Sequence, residues 1–115
     1  MNKKEFGRWG EERAAEYLKN RGYRIVERNY RVSRGEIDLI VEKGDYLVFV
    51  EVKTRKSFFH GLPQEAVDFR KQNKLRQIAN YYLLQNKTMK KMRFDVLCIN
   101  IKNNKGKIEH YIDAF

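Results

Sequence analysis

The sequence has one cysteine, Cys98, one proline, Pro63, and two histidines, His60 and His110. A single cysteine excludes an internal disulfide and any cysteine-cluster metal site. It also makes a reducing cytoplasm the expected compartment. The two histidines are too few and too far apart in sequence to build an imidazole-based centre. No apolar run reaches the roughly 18 residues of a membrane span. The opening Met1-Asn2-Lys3-Lys4-Glu5 has lysines but no apolar stretch behind them, so no secretory signal is expected. Repeats, low-complexity tracts and Pro/Gly-rich linkers are missing too, and 115 residues then read as one domain, 1–115.

Charge is present in excess. There are 25 Lys+Arg against 15 Asp+Glu, a formal net charge of +10. Both halves of the chain are basic, so the excess belongs to the fold and not to a tail. A polyanion is the partner class this points to, and nucleic acid leads it, because each neutralised phosphate releases counterions. A hydrophobic fraction of 42%, with 13% aromatic residues, argues against disorder.

The order of elements reads α-β-β-β-α-β-β. Lys3 to about Asn20 is rich in helix formers and stops before Gly22. Tyr23–Val32, Glu36–Val41 and Tyr46–Thr54 read as strands, the last two joined at the Lys43-Gly44-Asp45 turn. In the second of them Ile37, Leu39 and Val41 are expected on one face. Ser57–Leu62 reads as a loop, and a helix from near Gln64, interrupted near Asp68, reaches Gln85. A strand Phe94–Ile101, a turn at Asn103-Asn104-Lys105-Gly106 and a strand Ile108–Ile112 complete the chain. The expected fold class is α/β, a mixed central sheet flanked by helices.

Informative residues are those that local patterning does not explain. Along Leu47–Arg55, Val48, Val50, Val52 and Thr54 form one face; the other runs Leu47, Phe49, Glu51, Lys53, Arg55 and turns from apolar to charged halfway. Glu51 and Lys53 then stand roughly 6.5 Å apart on one side. Asp38 interrupts the preceding strand, where aspartate is disfavoured. A hairpin at Lys43-Gly44-Asp45 brings the Asp38 and Glu51 regions together. On the first helix Gly7, Gly10, Glu11, Ala14, Ala15 and Leu18 share a face; helical spacing alone leaves Glu11 at its solvated edge, though it is placed to join the other two carboxylates. Carboxylate oxygens gathered at that density select a hard divalent cation, Mg²⁺ or Mn²⁺. Such chemistry suits phosphodiester hydrolysis, with a lysine to offset charge or orient a water.

These residues resemble a known family. Gly35-Glu36-Ile37-Asp38, twelve residues, then Glu51-Val52-Lys53 is similar to the D-x(n)-E-x-K core of the restriction-endonuclease-like (PD-(D/E)xK) superfamily, with Ile37 where the name places proline. Within it the chain is similar to the YraN-like family, which resembles archaeal Holliday junction resolvases. The matching stretches are Gly10-Glu11 with Ala14 and Leu18, Gly22-Tyr23, Arg28-Asn29-Tyr30-Arg31, Gly35 to Ile40, Phe49 to Arg55, Lys74, Arg93-Phe94-Asp95-Val96 and Ala114-Phe115. A lone E-x-K is weak; this ordered set covers nearly the whole chain. The resemblance implies an αβββαβ nuclease core, with Asp38 and Glu51 as metal ligands, Lys53 as the catalytic lysine and Glu11 as the helix carboxylate. It implies an endonuclease for branched, flapped or single-stranded DNA. A resolvase-like activity would call for a homodimer, since two strands are cut symmetrically. A non-catalytic nucleic-acid-binding module or an adaptor in a repair or replication assembly is the alternative.

Among the basic residues, Arg34 and Arg55 flank the proposed site in sequence. Lys71 and Lys74 lie on the second helix with Arg70 and Arg76, opposed by few acids, and form a candidate phosphate-tracking face. Arg21, Arg24, Arg28, Arg31 and Arg34, with Tyr23 and Tyr30 interleaved, suit backbone contact and base stacking, or equally a solvated strand face. Asp95, Cys98 and His110 read as structural.

Overall fold

The computed structural model describes residues 1–56, 67–102 and 105–115, without the side chains of residues 102 and 105. The elements are α1 (Lys3–Asn20), β1 (Arg24–Val32), β2 (Gly35–Lys43), β3 (Tyr46–Arg55), α2 (Phe69–Gln85), β4 (Lys91–Lys102) and β5 (Lys105–Tyr111). The five strands form one sheet in sequence order; β3–β4 is parallel, and the other neighbours are antiparallel. The parallel step needs a crossover, and α2 supplies it. The α/β class and the element order read from the sequence are those of the structure.

Local chemistry explains the boundaries. Asn2 caps α1, its side chain accepting from the Glu5 amide at 2.8 Å. At the other end Gly22 takes φ +87° while the Gly22 and Tyr23 amides return to the Lys19 and Leu18 carbonyls. Asp68 caps α2 by accepting from the Lys71 amide, so the interruption expected near Asp68 is the start of the helix. The expected loop 57–62 and the helical residues 64–66 lie outside the described residues, as do His60 and Pro63. Lys105 and Gly106, expected in the last turn, belong to β5, and residues 103–104 lie outside the described residues.

The sheet separates two cores. Ala14 and Leu18 of α1 pack with Leu39, Val41, Val48, Val50, Leu97 and Ile99. Leu75, Ile78, Ala79 and Tyr82 of α2 pack with Ile37, Ile40, Phe49, Phe94 and Val96 on the other side. Ile37 therefore faces α2 while Leu39 and Val41 face α1, which corrects the single face expected for all three. The cause lies in the neighbouring strand: Asn29 adopts φ +51°, a conformation asparagine tolerates better than most residues. Arg28, on one side of it, reaches Glu12 of α1; Tyr30, on the other, packs edge-on against Tyr82 of α2. Their partners Leu39 and Ile37 follow, and Asp38 sits where the faces exchange.

Helix α1 lies very close to β3. A Cβ on Gly10 would stand 2.0 Å from Thr54 Oγ1. Gly10→Ala should therefore cost roughly 1–3 kcal/mol, and Thr54→Ala should recover most of it. Urea unfolding of the two single variants and the double variant checks this; purely additive losses would contradict the steric account.

Candidate metal and phosphodiester site

The β2–β3 ladder ends at the pair Leu39↔Val50. Beyond it Asp38 fills the place of a ladder partner: its Oδ2 accepts from the Val52 amide at 2.8 Å. That bond directs the carboxylate along the sheet toward β3, beside Glu51. Both residues are buried, Asp38 at 8% and Glu51 at 7% exposure. The site thus arises from a broken alternation on β2 and an apolar-to-charged change on β3.

Two buried carboxylates side by side are costly when both are ionised. Burial first, then a hydrogen bond with Glu51 and its charge, raise the Asp38 pKa to about 9, against the lowering pull of the Val52 amide. Burial beside Glu51 thus favours the neutral form of Asp38. Glu51 Oε2 is buried without a hydrogen-bond partner; the Lys71 ammonium stands 3.6 Å from it, an ion-pair distance. Glu11, half-buried, also has a raised pKa, first through burial and then through Glu36, with a hydrogen bond to Asn29 pulling the other way.

Glu11, Asp38, Glu51, Lys53 and Arg55 line one cleft of 440 Å³ between α1 and the splayed end of β2–β3. Lys71 meets it through Glu51. Arg34 does not join it: the β1–β2 turn carries Arg34 to Gln77 of α2, 2.9 Å away, in a separate hollow that Lys74 also lines. The arginine series is likewise partnered within the fold. Arg24 pairs with Glu42, Arg28 with Glu12 and Arg31 with Glu36, while Arg21 lies over Tyr17. Tyr23 is in the core and Tyr30 packs on Tyr82, so neither interleaved tyrosine is a stacking platform on a strand face.

Several cleft residues escaped the sequence reading. Lys3, Phe6 and Lys56 form its rim, and Lys56 Nζ lies 5.8 Å from the Phe6 ring centroid. Gly7 lines it as well, and a Cβ there would meet nothing within 4 Å. A mid-helix glycine weakens a helix by about 1 kcal/mol relative to alanine, and no packing demands this one. Its signal was a second glycine on the stripe, one turn before Gly10.

A hard cation fits this donor set. Mg²⁺ commonly takes one or two carboxylates and keeps several waters, and Glu51 Oε2 is an unmet buried acceptor. Among the described residues no three His, Cys, Asp or Glu are grouped to hold one ion together, so Glu11, Asp38 and Glu51 do not form a three-carboxylate cluster. The ordinary carboxylate pKa is near 4; a folded-state value near 9 means that stability is full below about pH 4 and is lost as pH rises toward 9. Parent protein should therefore lose thermal stability relative to Asp38→Asn between pH 5 and pH 9. Mg²⁺ should restore it in the parent alone. Melting curves of both proteins with and without Mg²⁺ test this, and parallel pH profiles would contradict it.

Comparison with known proteins agrees with the family expectation. Residues 10–99 match the model of the uncharacterised protein family UPF0102. The chain is 47% identical over 119 residues to a UPF0102 protein of Dictyoglomus thermophilum and 49% identical over 120 residues to one of Dictyoglomus turgidum, each match covering both chains entirely. A UPF0102 protein of Clostridium botulinum is 43% identical over 116 residues, covering 97% of this chain and 94% of its own. No helix among the described residues is long and apolar enough to cross a membrane. A match spanning most of the chain, with relatives this similar along their whole length, places the chain in the UPF0102, or YraN-like, family.

Proposed function

We propose that the chain is a cytoplasmic, metal-dependent endonuclease of restriction-endonuclease-like fold that cuts branched, flapped or single-stranded DNA. The observation carrying this reading is the buried Asp38–Glu51 pair, opened to a basic-rimmed cleft in a chain of charge +10. Asp38 and Glu51 would hold Mg²⁺ or Mn²⁺. A cation held there would polarise the phosphate and make a water a better nucleophile. Lys53 offsets charge on the phosphate oxygens and orients the attacking water. Arg55, Lys56 and Lys3 draw the strand in, and the bare backbone at Gly7 gives it room. Glu11, whose pKa is raised first by burial, stands at the cleft wall and would take up a proton from that water. Water oxygen bonds to phosphorus as the bond to the leaving sugar oxygen breaks.

One observation favours the alternative of a non-catalytic nucleic-acid-binding module: among the described residues the ligand set stops at two carboxylates. Purified protein incubated with labelled junction, flap, linear duplex and single-stranded DNA, in Mg²⁺, Mn²⁺ or EDTA, separates the two. Cleavage that needs metal and disappears in Glu51→Gln supports the nuclease. Salt-sensitive binding without cleavage supports the module, and affinity indifferent to salt points to a protein adaptor. In the first two cases Lys74→Ala should weaken all DNA ligands alike and lower the salt slope by about one unit if it meets one phosphate.

A further inference from the structure

Away from the carboxylates, a groove of 580 Å³ lies between the end of the β1–β2 hairpin and the C-terminal half of α2. Its lining is not that of a packing defect. Tyr81 contributes a ring that is 48% exposed, and Gln85 donates to its hydroxyl at 3.3 Å. Tyr30 lines the inner wall, and its hydroxyl is buried without a hydrogen-bond partner. Arg34 enters from the turn and rests on the neutral Gln77 amide, which leaves its charge uncompensated by that contact. An aromatic face, amide and hydroxyl groups and a cation are together what a nucleotide presents complements for: a ring to stack, polar edges and a phosphate.

The groove is also in line with the cleft. Lys71 stands against Glu51, and Lys74, one turn on, lies across Gly35, where a Cβ would come within 2.8 Å of its Cε. Lys74 shares its hollow with Arg34, and the next turns bring Gln77 and Tyr81. From Lys71 to Tyr81 the helix climbs about 15 Å. One face of α2 therefore carries two lysines and then the groove, starting at the carboxylates. We infer that this groove seats an unpaired nucleobase of a DNA strand whose backbone follows Lys74 and Lys71 into the cleft. The inference rests on the reading of Asp38 and Glu51 as the cutting centre, and it narrows the substrate to DNA with unpaired nucleotides beside the cut. Intact duplex, whose bases are stacked away, cannot fill the groove.

The test is fluorescence anisotropy in EDTA, so that binding is read without cleavage. A short labelled single strand is compared with an equal-length strand of abasic sites and with a blunt duplex. Parent protein should prefer the base-bearing strand by about tenfold, within the range of one base stacked on an aromatic ring. Tyr81→Ala should abolish that preference and Tyr81→Phe should keep it; Lys74→Ala should weaken both single strands equally. Equal affinity for base-bearing and abasic strands, duplex binding as tight as single-strand binding, or a preference untouched by Tyr81→Ala would overturn the groove's assignment. Failure of the nuclease reading looks different: the base preference and its dependence on Tyr81 would persist in EDTA, while no DNA is cut in Mn²⁺.

Discussion

Changing Lys53 to alanine should leave DNA binding and divalent-cation binding near their parental values and slow cleavage by about 10²–10³-fold. The expectation follows from position. Lys53 is two residues beyond Glu51 on the same side of β3 and lines the same cleft, yet it is not an oxygen donor and holds no ion. On the nuclease reading its contribution would be to charge that develops on the phosphate as the new bond forms, so its loss should fall on turnover and not on occupancy. Glu51→Gln should behave differently. It keeps the shape of the side chain but weakens the pair that would hold the ion, so metal-induced thermal stabilisation should fall together with cleavage. Titrating Mn²⁺ separates the two variants: added metal should recover part of the Glu51→Gln loss and none of the Lys53→Ala loss. If both variants cut DNA as fast as the parent, the activity does not arise in this cleft.

How much of this was legible in the sequence depends on what kind of signal each residue leaves. Val48 and Val50 against Leu47 and Phe49 state two buried faces by alternation alone, as fits a strand with neighbours on both sides. Glu51 was conspicuous because it ends an apolar row. Asp38 was conspicuous for its residue type, but its direction was not legible. Strict alternation puts Ile37, Leu39 and Val41 together, whereas the left-handed Asn29 on the neighbouring strand splits them between two cores. A cross-strand twist leaves only an asparagine as its trace. Arg34 was misplaced for a related reason: proximity in sequence to Asp38 was read as proximity in space, although the hairpin end carries it to α2. The cleft rim of Lys3, Phe6 and Lys56 depends on the pose of α1 over the sheet, which no local pattern encodes. Gly7 was visible only as a member of the helix face it shares with Gly10; Gly10 meets Thr54 closely, whereas a Cβ on Gly7 meets nothing within 4 Å.

The other large effect concerns Asp95, which a one-residue reading treats as a strand interruption. It is wholly buried on the α1 side of β4, and its carboxylate is fully engaged. Arg93 grips both oxygens at 2.9 Å, His110 of β5 stands 2.7 Å from Oδ2, and the Asp113 amide donates to Oδ1 at 3.0 Å. Arg93 is itself held by the Tyr23 hydroxyl at 2.7 Å, just past the end of α1. One carboxylate thus ties β4 to β5, to the C-terminal residues and, through Arg93, to the segment linking α1 and β1. Burial by itself would raise its pKa, but the bonds from His110 and Arg93 outweigh burial and bring it below the ordinary range. Removing the carboxylate leaves the partly buried Arg93 guanidinium with the Tyr23 hydroxyl but without its charge partner, at a cost of about 2–3 kcal/mol. Asp95→Asn should therefore lower the melting temperature by on the order of 10–20 °C at pH 7. The pH dependence has a definite sign. A carboxyl whose folded pKa is lowered stabilises above its unfolded pKa, and that contribution disappears as pH falls through the folded value. The gap between parent and Asp95→Asn should accordingly narrow as pH drops below about 4. Arg93→Leu combined with Asp95→Asn should cost less than the sum of the two, because the second change removes a charge the first has already orphaned. Thermal melts across pH for the single and double variants measure all three expectations. Equal melting temperatures for parent and Asp95→Asn at pH 7 would mean that the network is not what fixes β5 and the chain end to the sheet.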